Sequence, residues 1–353
     1  MTKVLAVDVG FGNLKAVWDR PDAAQPKAFQ SWKDICFKSV AHPVVVNEVG
    51  SGMEGTDRVV VTVGNQSYYV GPQATVGAGV RALHEDYIAT GDYEALLTGA
   101  WSYMFKETQL LTQSVDVLVL GLPVSRYQAT RKRLKEIGSK IRRVPVPYNM
   151  RERSQKEYVD VVARQVIVLP QPYGGLRLAS EEKKNYDLFD DGVVSLVIDP
   201  GYNTFDWFVA NGMKPQLDLC GSFGGGVSQI LRKVAAMISS DHGVETPNFS
   251  TVETALVAGS MNLGFKRIDM EPYRATATNE ARSSVAEFLQ LFNPTKNHVA
   301  KIYICGGGAH FYADALRNRL LGYHIELVDE PVMSNARGFW LHGQDTLEMA
   351  KAA

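Results

Sequence analysis

Asp8-Val9-Gly10-Phe11-Gly12-Asn13-Leu14-Lys15 closes a short apolar run at Val4-Leu5-Ala6-Val7, and Asp199-Pro200-Gly201-Tyr202-Asn203-Thr204-Phe205-Asp206 closes another at residues 193–198. Both stretches have one order: an apolar β-type run ending in aspartate, a glycine turn, then a second β-type run. Each is a β-hairpin by its spacing. A turn of small residues exposes backbone N–H groups able to cradle phosphate oxygens. An aspartate at a strand end is placed to hold a metal through water, and Lys15 is long enough to meet a phosphate. Taken alone, the first loop reads equally as an ordinary hairpin. Two such loops, each opening one half of the chain, form a weak internal repeat with a physical meaning.

Outward from these hairpins the chain alternates strand and helix patterns. Residues 93–106, 126–137, 226–238, 251–258, 279–291, 309–320 and 335–349 carry helical spacing. Residues 34–40, 58–63, 67–70, 115–120, 158–169, 302–305 and 325–328 read as strands, the fifth of them stopped by Pro170 and Pro172. This mixture predicts an α/β fold. At Ile302-Tyr303-Ile304-Cys305-Gly306-Gly307-Gly308-Ala309, three glycines stand between strand and helix. There the backbone can approach a flat ligand with no Cβ in the way.

Composition narrows the function. At 353 residues with 45% apolar content, the chain is long enough for two cores. A net charge of −1 argues against bulk nucleic-acid binding by phosphate neutralisation. Three distant cysteines, Cys36, Cys220 and Cys305, form no CxxC pair, and the seven histidines show no metal-ligand spacing. No apolar run reaches the ~18–20 residues that span a bilayer, and no signal peptide is read. The expected setting is cytoplasmic. The one basic concentration, Arg131-Lys132-Arg133-Leu134-Lys135 with Lys140, Arg142 and Arg143, reads as a solvated helix face or as a contact surface.

The two hairpins and the triple glycine together resemble the actin, heat-shock chaperone and sugar kinase ATPase superfamily. Two further stretches match in order: Leu169-Pro170-Gln171-Pro172-Tyr173-Gly174-Gly175 resembles its first crossing segment, and Ser334-Asn335-Ala336-Arg337-Gly338 its second. Within it the chain resembles above all the ParM/StbA-type plasmid-segregation actins and their archaeal relatives. Val119-Leu120-Gly121-Leu122-Pro123-Val124 and the helix start Gly224-Gly225-Gly226-Val227-Ser228 add to that likeness. It is also similar to the plasmid-borne group called PRTRC system protein D.

The resemblance implies an actin-like ATPase fold, two ribonuclease-H-like lobes around a nucleotide cleft, with residues 1–168 plus 335–353 as lobe I and 169–334 as lobe II. It implies ATP or ADP as ligand, with GTP as an open alternative, and Mg²⁺ held by Asp8 and Asp199 through water. Gly10, Phe11, Gly12, Asn13 and Lys15 would surround the phosphates from one loop, and Gly201, Tyr202, Asn203 and Thr204 from the other. Gly306, Gly307, Gly308 and Ala309 would pack on base and ribose, helped by Gly225, Gly226 and Ser228. Gln171 would orient the attacking water, with Asp8 and Asp199 completing the catalytic set. Pro200 and Tyr202 depart from the small residues usual in the second loop, and Tyr202 is expected to crowd the γ-phosphate. The implied partners are further copies of the chain in a filament and a DNA-binding adaptor, with no membrane. A small-molecule kinase and a non-filament regulator of the same superfamily are the alternatives.

Overall fold

The computed structural model describes residues 2–21, 31–44, 57–74, 86–182 and 186–352. The chain divides into two compact units, residues 1–183 with 333–353, and residues 184–332. These limits differ from the expected 168/169 and 334/335, and the cause is a helix that the sequence reading missed.

Unit 1 begins with β1 (Val4–Val9), β2 (Asn13–Asp19), β3 (Trp32–Lys38), β4 (His42–Pro43), β5 (Val59–Val63) and β6 (Gln66–Val70). There follow α1 (Gly91–Thr108), β7 (Ser114–Leu122), α2 (Val124–Ser139), β8 (Arg142–Pro145), α3 (Tyr148–Ser154), β9 (Tyr158–Pro170) and α4 (Gln171–Glu182). The chain's last helix, Ser334–Ala352, returns to this unit. Its main sheet has the order β3-β2-β1-β7-β9-β8. β7 sits between two parallel partners and reads Ser-Val-Asp-Val-Leu-Val-Leu-Gly-Leu, the near-continuous apolar run of a strand covered on both faces. On one face α1 packs with Leu5, Val7, Leu14, Ala16 and Trp18 into the core. α1 is apolar almost all round, because the small sheet β4-β6-β5 lies against it too. Thr90 caps it, its side chain accepting from the Tyr93 N–H.

The other face carries α4 and the C-terminal helix. By local pattern Pro172 ends a strand. It stands instead in the first turn of α4, where a missing N–H costs no helical bond. The helices cross by backbone contact: a Cβ on Gly338 would lie 1.8 Å from the Gly174 carbonyl oxygen, and one on Gly174 would lie 2.2 Å from that of Asn335. Buried Arg177 ties the crossing by Nε to Asp345 Oδ2 at 2.8 Å, while its Nη1 pairs within α4 with Glu181 Oε2 at 3.0 Å. This packing draws residues 169–182 into unit 1.

His342 lies in the same crossing, its Nδ1 3.1 Å from the Tyr173 hydroxyl. Burial holds its pKa below the ordinary 6.5; the Asp345 charge opposes that and the Arg177 charge adds to it. The unfolded chain therefore binds the proton first on acidification, and stability falls as the pH drops below about 6.5. Thermal midpoints measured from about pH 7.5 to about pH 5.5 should decline less for His342→Gln than for the parent chain. Equal slopes would remove His342 from the acid sensitivity.

Unit 2 repeats the plan. β10 (Val194–Pro200), β11 (Phe205–Asn211), β12 (Lys214–Pro215) and β13 (Gly221–Phe223) lead into α5 (Val227–His242) and α6 (Phe249–Ala258). The hairpin β14 (Ser260–Leu263) and β15 (Lys266–Asp269), then α7 (Glu271–Leu291), β16 (Lys301–Ile304), α8 (Ala309–Arg319) and β17 (Ile325–Leu327) complete it. The sheet order is β12-β11-β10-β16-β17, with β10 antiparallel to β11 and parallel to β16. In unit 1 the equivalent strands β2, β1 and β7 are related in the same way. α5 buries Val227, Ile230, Leu231, Val234, Ala235 and Ile238, the stripe of an amphipathic helix. An aromatic cluster fills the core, Phe205 lying 5.5 Å from Phe288 and 5.4 Å from Tyr312 between ring centroids.

Candidate functional site

In unit 1, antiparallel pairing sets Asp8 directly across from Lys15, and the turn closes with the Gly10 N–H donating to the Asn13 carbonyl at 3.2 Å. Asp8 is fully buried; Lys15 and Gln171 are nearly so. Lys15 Nζ donates to Asp8 Oδ2 at 2.8 Å, and Gln171 Nε2 donates to Asp8 Oδ1 at 2.5 Å. Each carboxylate oxygen thus has its own donor, and the buried charge is neutralised. Gln171 reaches Asp8 across 163 residues because β1, β7 and β9 run parallel and end at the same edge of the sheet. Gly121 leaves room for Phe339 and for Gln171 Cγ. Phe11 stacks on Tyr87 with centroids 5.0 Å apart, so its ring anchors the loop. The Gly12 carbonyl accepts from the Ser39 N–H, and Asn13 pairs with Lys38.

The hairpin of unit 2 has the same form. Asp199 lies opposite Asp206, and the Gly201 N–H donates to the Thr204 carbonyl at 2.8 Å. The interval from Asp8 to Lys15 equals that from Asp199 to Asp206, so Asp206 occupies the place that Lys15 has in unit 1. Asp206 is buried and accepts from Thr204 Oγ1 at 3.2 Å. The loop pattern alone gives Asp206 no role; the matched interval is the signal that singles it out. Tyr202, expected to crowd a phosphate, packs half-buried against the unit 2 core.

The triple glycine has two different tasks. Gly306 adopts φ +82°, and a Cβ there would sit 1.8 Å from Asp199 Oδ1. A Cβ on Gly308 would lie 2.6 Å from the Pro200 carbonyl oxygen, which the Gly308 N–H already binds at 2.8 Å. Both are glycines because the loop lies against the Asp199 hairpin. Only Gly307 has open space where a Cβ would stand. Ala309 is buried at the start of α8. The helix start before α5 is occupied as well. The N–H groups of Gly226, Val227 and Ser228 donate to the carbonyls of Asn203, Gly201 and Tyr202 at 3.3, 3.0 and 2.7 Å. What Gly226 and Ser228 were expected to offer a ligand therefore excludes these N–H groups. Gly225 is pressed on the Phe223 ring, and its carbonyl accepts from the Tyr312 hydroxyl at 2.6 Å.

Within unit 1 the structure brings together Asp8, Lys15, Gln171 and Gly10. Within unit 2 it brings together Asp199, the 201–204 turn, Gly226, Ser228 and Gly306–Gly308. Of the basic stretch, Arg142 is buried, donating to the Ile137 carbonyl, while Arg131, Lys132, Arg133, Lys135, Lys140 and Arg143 are exposed. Among the described residues no three His, Cys, Asp or Glu side chains form a metal cluster, and no helix is long and apolar enough to cross a membrane.

Residues 6–174 match the family model of the actin-like proteins' N-terminal domain, and residues 197–318 match that of the archaeal MreB-like actin homologue, C-terminal. The chain belongs to the actin-like proteins. Solved structures agree on the fold. An archaeal actin homologue, Ta0583, in complex with ADP superposes with a TM-score of 0.72 over 97% of this chain and 99% of that one, at 19% identity. A ParM filament from Clostridium botulinum gives 0.75 over 98% and 100%, at 16% identity. Bacillus thuringiensis ParM with ATP gives 0.66 over 98% of each chain, at 12% identity. No curated protein is significantly similar by sequence. In this actin-like chain, each of the two repeated units therefore carries one aspartate-and-glycine hairpin.

Proposed function

We propose that this actin-like protein binds Mg-ATP, hydrolyses it slowly and polymerises into dynamic filaments that act in plasmid or DNA segregation through a DNA-binding adaptor, in the cytoplasm. The observation that carries the reading is the buried Asp8–Lys15–Gln171 cluster at the hairpin mouth, with its structural counterpart at Asp199. A fold of ordinary hairpins has no need to bury an aspartate, a lysine and a glutamine together. The neighbours solved with ADP, with ATP and as a filament support the same reading.

The donor set fits magnesium. The two hairpins offer carboxylates and neither imidazole nor thiolate, and Mg²⁺ commonly takes one or two carboxylates while phosphates and waters complete its shell. Asp8 already accepts from Lys15 and Gln171, so a contact through water suits it better than direct ligation. Asp8 and Asp199 would hold the ion through water, and it would supply positive charge against the charge that develops on the phosphates. Lys15 adds positive charge beside the loop. Gln171 gives its amide N–H to Asp8 and keeps its carbonyl oxygen to accept from a water, a role of orientation, since a neutral amide is a poor base. Slow turnover follows, as suits a timer.

The test is right-angle light scattering on purified protein before and after Mg-ATP, with phosphate release followed in parallel. Scattering should rise above a critical concentration and decay as phosphate appears. Flat scattering alongside nucleotide turnover would sink the filament reading. Asp199→Ala should lower Mg-dependent hydrolysis by about 10²–10³-fold with the fold intact. Gln171→Ala should keep nucleotide binding, slow hydrolysis and prolong the polymer. Normal turnover in either variant removes that residue from the mechanism.

A further inference from the structure

Eight of the chain's 37 Lys and Arg residues, but one of its 38 Asp and Glu residues, fall in residues 124–143. The near-neutral total thus hides a strong local excess of positive charge, centred on α2. Packing fixes where that charge points. Leu134, Ile137 and Gly138 are the buried residues of α2, and a Cβ on Gly138 would lie 2.9 Å from Val166 Cγ1 and 3.0 Å from Leu120 Cδ1. The helix is therefore seated on β7 and β9, and it cannot turn its cations inward.

Two exposed basic rows run along the helix, which is about 24 Å long. Arg131, Lys132 and Lys135 are neighbours at helical spacing, with Gln128 and Ser139 one turn away at either end. Arg126, Arg133 and Lys140 recur every seven residues, about two turns, along the other flank. Arg133 pairs with Asp86 at 2.7 Å; among the described residues the other five have no carboxylate partner. Like charges four apart, as at Arg131 and Lys135, repel and weaken a helix. The rest of the face selects the kind of anion that would relieve them. Its exposed uncharged residues are Ser125, Gln128, Ala129 and Ser139, with no large apolar side chain. A lipid surface holds an amphipathic helix by its apolar face, and α2 buries that face in its own sheet. Serine and glutamine beside lysine and arginine are donors found on phosphodiester oxygens.

We propose that the outer face of α2 binds the phosphodiester backbone of a nucleic-acid duplex directly, by charge and without reading sequence. A duplex carries about one negative charge per 1.7 Å of axis, so rows of cations meet phosphates in any register. The contact goes beyond the filament reading, in which DNA is reached through an adaptor, and it needs neither nucleotide nor polymer. A failure of Mg-ATP to raise scattering would leave it standing. A failure of α2 to hold a duplex would likewise leave the filament reading standing.

Fluorescence anisotropy of a short labelled duplex of arbitrary sequence tests it, with the full chain and no nucleotide, from about 50 to about 200 mM salt. Binding should weaken steeply as salt rises, because each phosphate contact releases counterions. Lys132→Gln with Lys135→Gln should weaken it about tenfold at the lowest salt and flatten the log–log salt slope by about two. Lys132→Arg with Lys135→Arg should keep both values. Lys266→Gln with Lys296→Gln removes the same charge at exposed positions of unit 2 and should leave binding as it was. All four lysines are exposed, so circular dichroism should be unchanged. A duplex left unbound at the lowest salt, or held equally well by the Lys132/Lys135 glutamine variant, overturns the proposal. Equal weakening by the unit 2 variant overturns it too, since net charge alone would then govern binding. Run with duplex DNA and with duplex RNA, the series names the source of the backbone by the tighter of the two. Binding to phosphatidylserine vesicles with neither duplex held assigns the face to lipid and overturns the proposal as well.

Discussion

Lys15→Met is expected to cost unit 1 about 3–5 kcal/mol of stability and to remove nucleotide binding with it. Asp8 has no solvent exposure, and the lysine ammonium at 2.8 Å is its cationic partner. Methionine fills much of the space of the lysine stem but leaves a carboxylate buried with only the Gln171 amide against it. Removing one partner of a buried ion pair is far more damaging than replacing both. Asp8→Asn combined with Lys15→Met should therefore recover most of the stability while still failing to bind nucleotide. Four of the five tryptophans, Trp18, Trp32, Trp101 and Trp340, lie in unit 1, so tryptophan emission in urea reports chiefly on that unit. A fluorescent nucleotide analogue reports binding. Stability recovered together with binding would show that the cluster is structural alone.

Gly338→Ala should lower the stability of unit 1 by about 3 kcal/mol, the upper end for an overpacked core. The added methyl would stand 1.8 Å from the Gly174 carbonyl oxygen and 2.4 Å from its carbon. Both are backbone atoms of a helix buried along most of its length, so relief requires the two crossing helices to part. Parting them would loosen the Arg177–Asp345 pair and the seat of Gln171 at the start of the same helix. The expected fall in thermal midpoint is ~6–12 °C for a unit of this size. Gly322→Ala, with nothing within 4 Å of its added Cβ, should stay within about 0.5 kcal/mol of the parent. Equal midpoints for the two variants would mean that the crossing yields easily and does not define the unit.

Legibility in the sequence followed the range of the interactions. The hairpins at residues 8–15 and 199–206 could be read because a β-turn is decided within a few neighbours, by apolar alternation and by glycine. α1, α2, α5 and α8 were likewise visible from periodicity, since burying one face of a helix imposes its own spacing. α4 was missed because Pro170 and Pro172 look like breakers to any local rule. Proline is excluded from a helix interior but accepted in the first turn, and only the packing of Gln171–Ser180 reveals which position this is. α7 was drawn eight residues short for a related reason, as Pro272 again stands in a first turn.

By itself the sequence determined the α/β class, the repeated aspartate-and-glycine hairpins, and the residues from which a phosphate site is proposed. These are properties of single elements, governed by backbone conformation and by which face is apolar. Tertiary structure alone decided three further matters: that Gln171 lies against Asp8, that Gly306 and Gly308 are glycines for the sake of Asp199 and Pro200, and that the amides opening α5 are taken by the 201–204 turn. Each depends on which strand ends share an edge and which backbones touch. Sheet order and helix crossing set those contacts between residues far apart in the chain, and no local pattern encodes them.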